Sequence, residues 1–270
     1  MPPGMGGMIF CFGGIGEAIS MVSLSLSVVI ITLNEEANLA RTLASVAWAD
    51  EVVVLDSGST DRTREVAESR GAKFFVEPWR GFAAQKNSAL QKASSEWILS
   101  LDADEEVEPA LAEEIQDALR VDPSVAGFWI PRKNFFLGRW MKHGGYYPDR
   151  KLRLFRRGAG KFEDRLVHED IQLDGPSAQL QNHLLHYAYP TLDSYIEHMN
   201  RYSTLGAQMA ARRPRGFSLI DIVLRPKLTF LYNYVLRGGF LDGREGLLLH
   251  AYHATYVSWK YAKAWEFLKK

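Results

Sequence analysis

Residues 98–105 read ILSLDADE, an apolar run that ends on two aspartates, Asp102 and Asp104, one residue apart. A short apolar run bounded by polar residues reads as a buried strand. Carboxylates at its end need a reason, because an ionised carboxyl is costly to bury without a partner. The same arrangement recurs upstream. SVVIIT (27–32) runs into Asn34, Glu35 and Glu36, and EVVVLD (51–56) closes on Asp56.

Between these runs the period changes from continuous apolar to helical. Leu39, Leu43 and Val46 share one helix face after the first strand; DRTREVAESRG (61–71) is a helix that stops at Gly71; AKFFVE (72–77) is a third strand; GFAAQKNSALQKA (81–93) is a helix before the fourth strand, EWILSLD (96–102). Apolar strands alternating with helices predict an α/β domain with a Rossmann-like, mostly parallel sheet covered on both faces. In such a sheet all strand ends of one sense emerge at one edge, where ligands bind. The acids therefore gather on one rim, and they repel one another unless a cation or hydrogen-bond donors offset them. A hard divalent cation with nucleotide phosphates meets that demand. Taken singly, Asp56 or Asp102 reads as the cap of the next helix, and only the ordered set of three strand ends raises the ligand reading above the cap.

After a helix from Pro109 to about Leu119 the pattern shifts to strands at 127–136 and 150–157, with the loop GRWMKHGGYYPD between them, and then to helices at about 191–211 and from Phe217 to Trp265, interrupted at Pro226 and RGGFLDG. No internal repeat or linker divides the chain. The expected organisation is a disordered extension or over-long start at 1–22, with Met21 as an alternative initiator, a catalytic domain at 23–190, and a helical C-terminal region at 191–270 that meets an acceptor or a membrane. From Met8 to Leu33 only Glu17 is charged. A signal peptide or span is not the reading there, because no basic residue precedes the apolar stretch and glycines break it.

The single cysteine, Cys11, excludes an intrachain disulfide and a cysteine-rich zinc site. Net charge is zero, yet residues 1–122 carry 9 Lys and Arg against 20 Asp and Glu, while residues 201–270 carry 12 against 4. The basic C-terminal part points to an anionic partner, a phosphorylated glycolipid or an anionic membrane surface. Nucleic acid is not expected, since the aromatics there lie among aliphatic residues. The run LIDIVLRPKLTFLYNYVLRGGF (219–240) holds too many charges to span a bilayer and suits a helix lying at the interface, or one packed on the domain.

TLNEE, VVVLDSGSTD and LSLDADE together resemble the inverting family 2 glycosyltransferases, which have the GT-A fold. The resemblance implies that Leu33, Glu35 and Asp56 surround the nucleotide base and ribose. It implies that Asp102 and Asp104 bind the sugar nucleotide and its Mg²⁺ or Mn²⁺, with Asp104 as the nearest metal ligand. Lys86 falls where the family often places a cation near the nucleotide; a solvated helix lysine is the competing reading. PDRKLRLFRR, LVHED, LLHYAYPTLDSYIEHMNRYS and GGFLDGREGLLLHAYHATY resemble bacterial glucosyltransferases of lipopolysaccharide core assembly. That narrower likeness implies glucose transfer from UDP-glucose to a lipid-linked saccharide, in the cytoplasm at the inner face of the cytoplasmic membrane. Glu169 is the expected base, with Asp170 as rival and a surface salt bridge to Arg165 or Lys161 as the plain alternative. His168 is a candidate for the metal or a phosphate, and His186 a weaker one. Alternating with apolar residues, Arg153 and Arg157 share a strand face on which Arg153 meets a phosphate or the acceptor; a charged sheet edge explains the same pattern. Transfer to polyprenyl phosphate, and a non-catalytic scaffold of envelope assembly, are the alternatives in function.

Overall fold

Unbroken β-branched and aliphatic runs can only be satisfied by burial on both faces, and that requirement shapes the first half of the chain. The computed structural model describes residues 25–120, 124–163, 170–211, 218 and 220–269. The expected extension at 1–22 lies outside them. Three βα units and a fourth strand open the described chain: β1 (Leu26–Thr32), α1 (Glu36–Ser45), β2 (Glu51–Asp56), α2 (Thr63–Ser69), β3 (Lys73–Val76), α3 (Phe82–Lys92), β4 (Trp97–Asp102). β5 (Glu105–Val107) and α4 (Pro109–Arg120) follow. A second group of strands follows: β6 (Gly127–Phe136), β7 (Arg139–Trp140), β8 (Asp149–Arg156), β9 (Gly160–Phe162), β10 (Ile171–Leu173), β11 (Ser177–Gln179) and β12 (Leu184–Tyr189), of which β9 and β10 form a separate two-stranded sheet and the rest complete the main one.

The main path through the sheet is β3-β2-β1-β4-β8-β6-β12-β5, with β7 and β11 paired to β6. β1 to β4 are parallel to one another. β8 enters antiparallel between β4 and β6, and β12 runs parallel to β6. The arginine-rich strand is therefore interior to the sheet, and the sheet-edge reading of its charges is overturned. Alternation along β1 sends Val28 and Ile30 into one core with Leu39, Leu43, Leu111 and Ile115, and Val29 into the other with Leu90, Ile98, Phe155 and Phe162.

The C-terminal part is helical from α5 (Leu192–Ala211) onward. After it come a π-helical turn (Ile220–Leu224), α6 (Arg225–Phe230), a second π-helical turn (Leu231–Leu236), a 3₁₀ turn (Gly239–Asp242) and α7 (Gly243–Phe267). Pro226 does not interrupt a helix as the pattern predicts: it stands in the first turn of α6, where a missing N–H has no helical partner to lose. Phe136, Met141, Tyr195 and Leu249 form a third core that holds α5 and α7 against the strands. Among the described residues no helix is long and apolar enough to cross a membrane.

At the edge of the sheet away from the aspartate rim, Glu51 ties three segments together. Its carboxylate accepts from Ser27 Oγ, from Lys73 Nζ, and from Ser94 through both the amide at 2.8 Å and the hydroxyl at 3.0 Å. Burial opposes its charge, yet the bonds from Lys73, Ser27 and Ser94 hold the carboxyl at about 2, below the ordinary 4.5. A carboxyl depressed in the folded state contributes stability above its unfolded pKa and loses it as pH falls toward the folded one. Glu51→Ala is expected to lower the unfolding free energy by about 2 kcal/mol at neutral pH. In urea titrations the gap to the parent should narrow as pH drops from about 5 to about 3.

Candidate active site

The strand order reverses between β1 and β4, and a sheet opens a crevice at such a reversal. Register aligns Thr32 with Asp56 and Ile31 with Asp102, so the acids do share one rim. Asp56 is buried there and fully engaged. One oxygen accepts the amides of Gly58 and Ser59 at 2.8 and 2.7 Å; the other accepts Thr32 Oγ1 at 2.9 Å and the Ser59 hydroxyl. Asn34, in the left-handed region at φ 56°, is laced to the same loop by its amide to Ser59 Oγ and by its Oδ1 from the Thr60 amide. Asp56 thus shapes the rim from inside, while Leu33 stands half exposed above it. Glu35 accepts from Asn38 Nδ2 at 3.0 Å. Its carboxyl is raised, first by burial and then by Asp104, Asp61 and Asp102, against the lowering bond from Asn38.

Lys86 is buried, which overturns the solvated reading, and its Nζ donates to Asp102 Oδ1 at 2.7 Å. Arg153 Nη2 donates to the other oxygen of Asp102 and, at 2.8 Å, to Glu105. Glu105 is 0% exposed. It also accepts Arg132 Nη1 at 2.8 Å and the amide of Asp102 at 2.9 Å. Arg132 in turn forks onto Asp149 at 3.0 and 2.7 Å. Asp102, Glu105 and Asp149 are thus matched by Lys86, Arg153 and Arg132, with Lys151 reaching Asp149 from outside at 3.2 Å. Burial works against the Asp102 charge, but Arg153 and Lys86 hold its carboxyl well below the ordinary range. One expectation is corrected here. Arg153 lies buried beneath the carboxylates rather than facing a phosphate or an acceptor, while each oxygen of Asp102 accepts from one cation.

Asp104 is placed differently. Asn134 Nδ2 donates to Asp149 Oδ2 and to the Tyr146 carbonyl, both at 3.1 Å. Those two acceptors fix the amide, so its Oδ1 faces His186 Nδ1 at 2.7 Å and that nitrogen must carry the proton. His186 Nε2 is then turned to Asp104 Oδ2 at 3.4 Å. With its proton on Nδ1, the imidazole presents the Nε2 lone pair beside the Asp104 carboxylate, two donors that could hold a cation. A histidine whose Nδ1–H is held by an oxygen acceptor is also the usual arrangement of a metal ligand. Nearby, His198 on α5 stacks on Tyr202 at 4.0 Å, and burial, then Arg201, pushes its imidazole down to about 4. Among the described residues no three His, Cys, Asp or Glu side chains converge as a closed metal cage. Asp104 and His186 are an open pair.

His168 and Glu169 lie outside the described residues. β9 pairs antiparallel with β10, and the Glu163 amide donates to the Asp170 carbonyl at 3.1 Å. Asn87, next to Lys86, exchanges two 2.9 Å bonds with the backbone of Phe162. β9 therefore ends beside Lys86, whose Nζ lies 5.2 Å from the centroid of the Phe162 ring. Sequence reasoning missed Glu105, Arg132, Asn134 and Asp149. Their signal was present, in a third acid after DAD and in charged residues within a ten-residue strand.

The model of the Glycosyl transferase family 2 matches residues 27–174, more than half of the chain. The chain is a family 2 glycosyltransferase. It is 34% identical to the lipopolysaccharide core biosynthesis glycosyltransferase LpsC of Rhizobium meliloti, over 90% of this chain and 93% of that one. It is also 29% identical to an uncharacterized glycosyltransferase of Rickettsia typhi, over 83% of this chain and 80% of the relative. In fold this glycosyltransferase is similar to the mannosyltransferase PcManGT of Pyrobaculum calidifontis, solved in complex with GDP-Man and Mn²⁺, with a TM-score of 0.53 at 16% identity over 90% of this chain and 87% of that one. The fold is of the GT-A kind. Removing Arg153 should leave Asp102 and Glu105 a cation short. Arg153→Met is expected to cost about 3–5 kcal/mol in urea unfolding, and Glu105→Gln in the same chain to restore part of it.

Proposed function

We propose that the chain is an inverting, metal-dependent hexosyltransferase that moves glucose from UDP-glucose to a lipid-linked saccharide such as the lipopolysaccharide inner core. The observation that carries this reading is the Asp104–His186 pair, set 3.4 Å apart at the reversal of strand order with His186 Nε2 turned outward to the carboxylate. Oxygen and imidazole donors suit Mg²⁺ or Mn²⁺, and an open pair leaves the remaining positions to the donor's diphosphate. When bound, such an ion supplies charge stabilisation to the leaving diphosphate.

The rest of the work falls to the chain. Leu33 offers an apolar face at the rim for the nucleobase, and Glu35 accepts from the ribose hydroxyls. Asp56 keeps that rim in shape. Asp102, held rigid by Lys86 and Arg153, presents its remaining lone pairs to the hexose hydroxyls. Glu169, with Asp170 beside it, accepts the proton of the acceptor hydroxyl as that oxygen attacks the anomeric carbon opposite the diphosphate, which inverts the configuration. The end of β9 supports this assignment, because Asn87 holds the Phe162 backbone beside Lys86, the partner of Asp102, and Glu169 follows seven residues later in the sequence. The acceptor class is supported by the likeness to LpsC along nearly the whole chain, and it implies work at the cytoplasmic face of the membrane. The metal is supported by the donor chemistry of the pair and by the Mn²⁺ of PcManGT.

With UDP-glucose, Mn²⁺ and lipopolysaccharide from cells lacking the protein, the purified chain should release UDP. Chelation should abolish release, and Asp104→Ala or His186→Ala should each lower kcat/KM by about 10²-fold. Glu169→Gln should lower kcat by about 10²-fold or more with little change in KM for UDP-glucose. Release that persists through chelation and in Asp104→Ala contradicts the metal reading.

A further inference from the structure

The segment from Ile220 to Leu241 is built inside out. Its inner side is anchored to α7: Arg225 Nη1 donates to Tyr261 Oη and Ser258 Oγ donates to the Ile222 carbonyl, both at 3.0 Å, and Pro226 is buried. Its outer side carries Ile220, Val223, Leu224, Leu228, Leu231, Tyr232, Val235 and Leu236, and then Phe240 and Leu241, each between 45 and 72% exposed. Positions 220, 223, 224, 228, 231, 232, 235 and 236 follow the three- and four-residue spacing of one helix face. That face would ordinarily be the buried one. Here it faces solvent as an apolar strip, the kind of exposed patch that marks an interaction surface.

The charges around the strip identify what covers it. Lys227 stands within it, and Arg237 and Arg244 flank it, all exposed. In sequence Arg212, Arg213 and Arg215 precede it, and the last seventy residues hold 12 basic side chains against 4 acidic ones. Of those acids, Asp221 is paired with Arg225 at 2.9 Å and Asp242 is buried against His143. Two copies packed face to face would set Lys227 and its arginine neighbours against their own images. An anionic bilayer surface complements both features, taking the aliphatic side chains below the headgroups and leaving the basic ones among them.

We propose that the face from Ile220 to Leu241 seats the protein on an anionic lipid bilayer, lying in the interface without crossing it. This inference stands on the exposed face and its charges, independently of the transfer chemistry. It also explains how the strip reaches the site. Near its C-terminal end the Arg237 carbonyl accepts the Gly144 amide at 3.0 Å, and just beyond it Asp242 accepts the amide and Nδ1 of His143 at 2.8 and 2.7 Å. The approach is tight enough that a Cβ at Gly145 would lie 2.2 Å from Arg237 Nη1. The loop so held leads directly into Asp149 of β8, a member of the ion network at the site.

The test is co-sedimentation of the full chain with vesicles of phosphatidylcholine containing phosphatidylglycerol, and with phosphatidylcholine alone. The expected result is binding to the anionic vesicles, weaker binding to the neutral ones, and a loss of at least about tenfold in partitioning for Leu228→Asp/Leu231→Asp. Thermal unfolding without ligand should show that this variant keeps its fold, and UDP release reads the catalytic account separately. Absence of vesicle binding, or equal binding by the double variant, overturns the proposal. So does a dimer in light scattering that the double variant dissolves, since the face then belongs to a second copy.

Discussion

A carboxylate with no access to water, Glu105, sets the terms for the centre of this structure. A buried charge must be matched, and removing its partner costs far more than the pair contributes. Glu105 follows the end of β4, so its partners have to come from neighbouring strands: Arg153 from β8 and Arg132 from β6. The two guanidiniums bring more positive charge than Glu105 can balance, and Asp102 and Asp149, with Lys86 on Asp102, complete the match of three acids to three bases. This chain of ion pairs crosses the boundary between the parallel strands and the mixed half of the sheet.

The same constraint separates the roles of two aspartates that look alike. Asp102 is drawn into the network and held by Lys86 and Arg153. Asp104, on the turn from β4 to β5, is not. Its carbonyl accepts the Tyr187 amide at 3.1 Å, and β12 pairs with β5 so that His186 lies opposite Glu105. That register brings the imidazole to the Asp104 carboxylate, and Asn134 settles which nitrogen faces it. One carboxylate is fixed by two cations, and the other faces an imidazole nitrogen.

Much of this was readable before the structure. β1 to β4 announce themselves because strands buried on both faces need continuous apolar runs, and Leu39, Leu43 and Val46 mark the face of α1 that covers them. The gathering of Glu35, Asp56, Asp102 and Asp104 on one rim follows from parallel topology alone. The network was not readable. Arginine and lysine are read as solvent-facing, and only tertiary pairing puts Lys86 and Arg153 inside. β5, β7, β9, β10 and β11 are two or three residues long and have no period to detect. β12 hides histidine and tyrosine in a run that looks irregular, although it holds His186. The proline at 226 was legible as a break but not as a helix start, because that depends on the π-helical turn before it.

The central claim is that Asp104 and His186, rather than Asp102, present the ligand pair for a divalent cation at the donor site. A crystal structure grown with Mn²⁺ and UDP, with the metal located by its anomalous scattering, tests it most directly. The account predicts a single manganese within bonding distance of Asp104 and His186 Nε2 and of the diphosphate, with Lys86 and Arg153 still on Asp102. Manganese bound by Asp102 with those two cations displaced, or a site in which His186 turns away from the metal, would contradict it.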